Sequence, residues 1–189
     1  MQLLKRLWRR DRAGQDGPPH KRHIGEVLEA VGVPVLAAGG IGTARAWAAV
    51  LAAGAAGARM GTRFVAAEES DAHPEYVRAL IAARAQDTLY TDVFYLDWPE
   101  APHRVLRSSA EAAQAFQGDI VGQQTAPTGE RVDIRRFKAL PISRDVTGAI
   151  AAMPHWAGES VSSLQRAASA AEIIREVAGG AERLLRAWH

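Results

Sequence analysis

Apolar positions fall into short blocks whose spacing changes along the chain. Val33 to Ala37 is a continuous apolar run, the pattern of a strand buried on both faces in a parallel sheet. Before it, Gly25 to Val31 suits a short helix stopped near Gly32 and Pro34. After it, Thr43 is placed to cap a helix reaching about Ala53, with Gly54 as its C-terminal stop. Ala58 to Met60 reads as a second short strand. Strand, helix and strand in close succession make a βαβ unit, hence parallel and right-handed.

Gly61 and Thr62 then open a short helical turn containing Phe64 and Val65. Asp71 is placed to cap another helix with Pro74 in its first turn, running to about Ala83. Residues 87–107 read as extended, since Thr88, Tyr90, Thr91, Val93, Phe94 and Tyr95 favour strands and Pro99 and Pro102 break them. Ser109 to Phe116 is expected to be helical, and Gln117 to Leu140 mostly loop. Asp145 to Met153 and Gly158 to Leu164 read as further helices. Ala168 to Trp188 is the last, with Ile173, Ile174, Val177, Ala181, Leu184 and Leu185 on one face. Gly179 and Gly180 interrupt it at a cost of about 1 kcal/mol each relative to alanine.

Composition narrows the class. Hydrophobic residues make up 48% and charged residues 23% of 189, which suits one soluble globular domain with a small subdomain. The absence of cysteine excludes disulfides, thiolate metal sites and thiol nucleophiles, and fits a cytoplasmic chain. Residues 1–25 carry Lys5, Arg6, Arg9, Arg10, Arg12, Lys21 and Arg22 against Asp11 and Asp16, a net of +5. The whole chain is +2, so the rest sums to −3. Residues 1–24 are therefore expected to be a basic, disordered segment, solvated rather than bound to nucleic acid or membrane. Arginines interrupt Leu3, Leu4, Leu7 and Trp8 before the apolar core of a signal peptide forms.

The chemistry concentrates where the two strands end. A phosphate needs several donors arriving together with no side chain in the way, and glycine lets bare backbone approach. Gly39 and Gly40 stand between the first strand and the helix capped by Thr43. Gly61 and Thr62 stand at the end of the second strand, where Thr62 adds a hydroxyl. A lone Gly-Gly is commonly only a tight turn. The second strand end, one helix away, favours a phosphate cradle instead.

Elsewhere the residues carry less. His73 beside Glu75, and His103 beside Arg104, have no second ligand at helical spacing, so no metal is expected. Ser160, Ser162 and Ser163 lack a histidine and acid arranged for nucleophilic catalysis. Glu68 and Glu69 read as solvated charges. Trp47, Trp98 and Trp156 read as core or interface anchors.

The segments VPVLAAGGIG (33–42) and GARMGTRFVAAEES (57–70) resemble the C-terminal half of the nitronate monooxygenase (2-nitropropane dioxygenase) flavoproteins. HRVLRS (103–108), SRDVTGAI (143–150), MPHWAGESV (153–161) and AAEIIREVAGGAERLL (170–185) follow in that family's order, so the resemblance spans about residues 25 to 186. It implies an α/β fold, a partial (β/α)8 barrel with a small α+β lid subdomain. Residues 25–86 would be the C-terminal part of the barrel, 87–157 the lid, and 158–189 returning helices.

The resemblance also implies non-covalent FMN and oxidation of alkyl nitronates by dioxygen. Gly39 and Gly40 would bind the FMN phosphate, with Arg59, Met60, Gly61 and Thr62 lining its other side. Arg59 stands where glutamine is common, Glu159 replaces glutamine in an AGQS-like turn formed with Gly158 and Ser160, and Ser108 replaces asparagine. The family's catalytic histidine lies in a motif like QGxEAGGH one strand earlier, and residues 1–24 hold no match. His20 and His23 read as exposed loop histidines, and no catalytic residue is assigned.

The expected protein is therefore a truncated form with impaired or no turnover. Two other readings stand beside it. One is a non-catalytic fragment or partner chain that completes a split barrel, self-associating through exposed barrel edges. The other is a flavin-dependent enoyl-acyl-carrier-protein reductase.

Overall fold

The computed structural model describes residues 23–188. The basic segment up to residue 22, His20 included, lies outside the described residues. His23, expected in a loop, begins helix α1 (His23–Ala30). Strand β1 (Leu36–Ala38), helix α2 (Ala44–Ala52) and strand β2 (Gly57–Arg59) follow. The strands pair in parallel, with Leu36 opposite Gly57 and Ala38 opposite Arg59. Thr43 caps α2 as its sequence position suggests, its hydroxyl accepting from the Ala46 N–H at 3.1 Å. Gly54, at φ 101°, turns the chain away after the helix.

The first strand is shorter and more exposed than its apolar run suggests. Val33 and Leu36 are each 66% exposed. Among the described residues β1 pairs with β2 alone, so its other edge carries no neighbour.

Helices α3 (Thr62–Val65) and α4 (Pro74–Ala82) come next. His73, not Asp71, caps α4, its Nδ1 accepting from the Glu75 N–H at 3.2 Å. Pro74 sets the first turn and so makes its predecessor the cap. Strands β3 (Thr88–Thr91) and β4 (His103–Leu106) form an antiparallel pair, followed by α5 (Arg107–Ala115).

Two expectations fail in the next stretch. The loop expected over 117–140 contains a hairpin, β5 (Ile120–Thr125) and β6 (Arg131–Arg135). Of its strand residues only Val121 and Ile134 are buried, so the hydrophobic alternation is faint. The helix expected over 145–153 is instead β7 (Thr147–Gly148), which pairs with β5, followed by a 3-10 turn, Ile150–Ala152. Gly148 decides this. Its φ is 118°, and a Cβ there would lie 2.4 Å from the Val121 carbonyl oxygen and 2.5 Å from the Gly122 Cα. The two backbones touch only because both residues are glycine.

A 3-10 turn (Glu159–Ser163) and helix α6 (Ala170–Arg186) complete the described chain. Gly179 and Gly180 do not break α6. A Cβ on Gly180 would lie 2.5 Å from the Ala44 Cβ, so this glycine lets α6 settle onto α2.

The mixed α/β fold has a main core in which Leu80, Leu106, Ile134, Ile142 and Val161 join α4, β4, the hairpin and the final 3-10 turn. A second cluster packs Ile173 and Val177 of α6 against Trp47, Met60 and Phe64. Each fully buried aliphatic side chain of this kind contributes about 1.5–3 kcal/mol. Trp156 is an anchor, as expected. Its Nε1 donates to the Leu140 carbonyl at 3.0 Å, and Trp98 meets it edge-on at 6.3 Å. No described helix is long and apolar enough to cross a membrane.

Candidate functional site

Because Ala38 lies opposite Arg59, Gly39-Gly40 and Met60-Gly61 leave the two parallel strands side by side. Gly39 and Gly40 have φ values of 95° and 69°, a backbone path suited to glycine. A Cβ on Gly40 or on Gly61 would meet nothing within 4 Å, so the backbone there is open to an incoming group. Gly61 is the N-cap of α3 and supplies no side-chain cap. The first amides of that turn have no acceptor within the helix. Arg59 is exposed. The Met60 side chain packs against the cluster that holds Ile173 and Val177.

A third element closes on these two. The Gly158 N–H donates to the Thr62 Oγ1 at 2.9 Å. The Ser163 hydroxyl bonds to the Ser160 carbonyl at 2.7 Å and approaches the Gly42 carbonyl at 3.3 Å. A Cβ on Gly42 would stand 2.4 Å from that hydroxyl and 3.0 Å from the Ser160 Cβ. The 39–42 loop, the 61–63 turn and the 158–163 turn are thus one connected unit. Glu159, within the third turn, pairs with Arg104 at 3.6 Å.

Arg63 is the charged member of this unit and was not singled out by the sequence. Its Nη1 donates to the Ser163 carbonyl at 2.9 Å and its Nη2 to Glu176 Oε2 at 2.6 Å. Only 9% of its surface is exposed, and its Nε is buried without a partner among the described residues. A guanidinium beside Phe64 and Val65 is itself the signal, because a cation in an apolar turn must find partners.

His155 is the other buried titratable group that the sequence left unremarked. It is 4% exposed and stacks on Tyr76 with ring centroids 4.9 Å apart. Its Nε2 lies 3.1 Å from the Ile150 carbonyl, which can only accept, so Nε2 carries the proton. Nδ1 is a buried lone pair with no partner among the described residues. Burial pulls the pKa down to about 4, opposed by the Ile150 bond and helped by nearby His73. The Tyr76 hydroxyl donates to the Trp156 carbonyl at 2.5 Å, and burial holds its pKa far above the ordinary phenol value.

The remaining candidates have structural partners. His103 is buried, with Nδ1 against the Ala101 carbonyl at 2.9 Å and Nε2 accepting from the Phe94 N–H at 3.4 Å. Ser162 accepts from the Ala85 N–H at 2.7 Å. Glu69 is not merely solvated. Its Oε2 accepts from the Ala170 N–H at 2.8 Å and adds to the Ser169 cap at the start of α6.

The family model for nitronate monooxygenase matches residues 15–180. The chain belongs to the nitronate monooxygenase family. It is 32% identical over 145 residues to the nitronate monooxygenase of Paraburkholderia phytofirmans, covering 77% of this chain and 37% of that protein. Nitroalkane oxidase from Streptomyces ansochromogenes superposes with a TM-score of 0.62 at 28% identity, covering 88% of this chain and 44% of the other. FabK from Thermotoga maritima shares the fold, with a TM-score of 0.63 at 24% identity over 92% of this chain and 52% of that one. The chain spans about a third to a half of the length of the curated relatives it matches.

Proposed function

We propose that this chain holds the phosphate-anchoring part of an FMN-dependent oxidoreductase that oxidises alkyl nitronates with dioxygen to carbonyl compounds and nitrite. The observation that carries it is the pair of open glycine strand ends, side by side in register. The donor set suits a phosphate. Gly39, Gly40 and Gly61 offer bare backbone, and the Thr62 hydroxyl, accepting from Gly158, keeps its own proton to donate. Arg59 and the Met60 backbone border the same opening. FMN, when bound, supplies the redox chemistry between nitronate and dioxygen. The protein's part is to bind the phosphate, fix the flavin's orientation and exclude water. In this reading residues 25–86 are the C-terminal part of a β/α barrel, 87–157 a smaller domain that closes over the flavin, and 158–189 the returning helices.

The test is a fluorescence titration of the chain with FMN and with riboflavin, paired with nitrite release from an alkyl nitronate in air. FMN is expected to bind more tightly than riboflavin, since only FMN brings the phosphate. Equal affinity for both, or none for either, would overturn the cradle. Nitrite release separates anchoring from turnover. It is expected to be slow or undetectable in this chain, which has no assigned catalytic residue.

A further inference from the structure

The Arg63 guanidinium is tied to the turn that closes on the proposed cradle. It hangs from the residue after Thr62, and its Nη1 is bonded to the carbonyl of Ser163, whose hydroxyl sits against Gly42. Arg63 is 9% exposed, whereas the side chain of its counter-ion Glu176 is 53% exposed. A buried charge is weakly screened, and a charge open to water is screened strongly. The compensation is therefore uneven. The exposed carboxylate is screened more than the buried cation it pairs with, which leaves a net positive character at the turn. Nε, buried and without a partner among the described residues, adds no further compensation.

We propose that the Arg63–Glu176 pair sets the electrostatic potential of the cradle and thereby its preference for a flavin bearing a terminal phosphate. The inference rests on reading the glycine strand ends as a flavin phosphate site. In it Arg63 does not touch the phosphate. It acts from the turn that closes on the cradle, and Glu176 tempers it.

The experiment measures FMN and riboflavin affinities for the wild-type chain and for Glu176→Gln, Arg63→Lys and Arg63→Met, with thermal unfolding as a control. Glutamine keeps an oxygen for Nη2 and removes only the negative charge. Glu176→Gln is expected to raise the FMN-to-riboflavin affinity ratio several-fold, and Arg63→Met to lower that ratio roughly tenfold. Arg63→Lys, which keeps the charge, is expected to hold most of the preference. A role as a structural bolt alone would weaken both flavins together in the variants that loosen the turn, and would overturn the proposal. An unchanged or reduced ratio in Glu176→Gln would also overturn it, and that variant decides the matter should Arg63→Met fail to fold. Binding of neither flavin by the wild-type chain would overturn the cradle reading itself, and this inference with it.

Discussion

Thr62 and Gly158 stand 96 positions apart and are joined by a hydrogen bond of 2.9 Å from the glycine amide to the threonine hydroxyl. The bond fixes where the third turn meets the second strand end. Replacing Thr62 with valine keeps the shape and strands the Gly158 N–H. The expected loss is about 1–2 kcal/mol of folding stability, read by urea unfolding, together with weaker FMN binding. Thr62→Ser is expected to retain both.

Gly61 offers a variant that separates binding from folding. A Cβ there meets nothing within 4 Å, and its φ of −101° suits any residue. Its backbone lies in the right-handed helical region open to any residue, so Gly61→Asp is expected to leave the melting temperature nearly unchanged. Its carboxylate would face the proposed phosphate position. FMN affinity is expected to fall at least tenfold while riboflavin affinity holds, measured by the same titrations.

The glycine pair in α6 predicts opposite outcomes for adjacent substitutions. A Cβ on Gly179 would find only the flexible Arg183 side chain, at 3.6 Å. Gly179→Ala is expected to stabilise the protein by about 0.5–1 kcal/mol through helix propensity. Gly180→Ala would drive a methyl into Ala44 and is expected to destabilise by about 1–3 kcal/mol. Adding Ala44→Gly should recover much of that loss in thermal unfolding.

His155 makes stability depend on pH with a defined sign. Its folded pKa is lowered from 6.5 to about 4, so the unfolded chain binds the proton more readily. The contribution is fully present above about pH 6.5 and is lost as pH falls toward 4, at about 1.4 kcal/mol per pH unit and roughly 3 kcal/mol in all. Tyr76, stacked on the ring, stays protonated throughout, and His73 adds repulsion once charged. His155→Phe keeps the stack and is expected to flatten this part of the profile. Urea midpoints at pH 7.5 and 5 for both proteins are the measurement.

The parts legible in the sequence were those set by local chemistry. Thr43 as a cap, Gly54 as a stop and the paired glycine strand ends follow from the preferences of a few adjacent residues, and the register of Ala38 with Arg59 joins them as expected. The hairpin was hidden because only Val121 and Ile134 of its strand residues are buried, so no clear alternation reaches the sequence. Residues 145–153 misled because an alanine-rich run resembles a helix, while Gly122, the partner that decides the path of Gly148, lies outside that run. Arg63 and His155 were missed for the same reason. Their partners Ser163, Glu176 and Tyr76 are distant in sequence, and only the fold brings them together.

Those distances also set an order of events. Arg63 is bonded to residues 100 and 113 positions later, and Gly42 meets a hydroxyl 121 positions later. A growing chain therefore makes the two glycine strand ends early and their third wall late. At about 5–20 residues per second, a delay of roughly five to twenty seconds separates them. In the proposed reading, flavin capture at this site would wait until the later turn has joined the strand ends, and a bound phosphate would act as the clasp that holds early and late segments together.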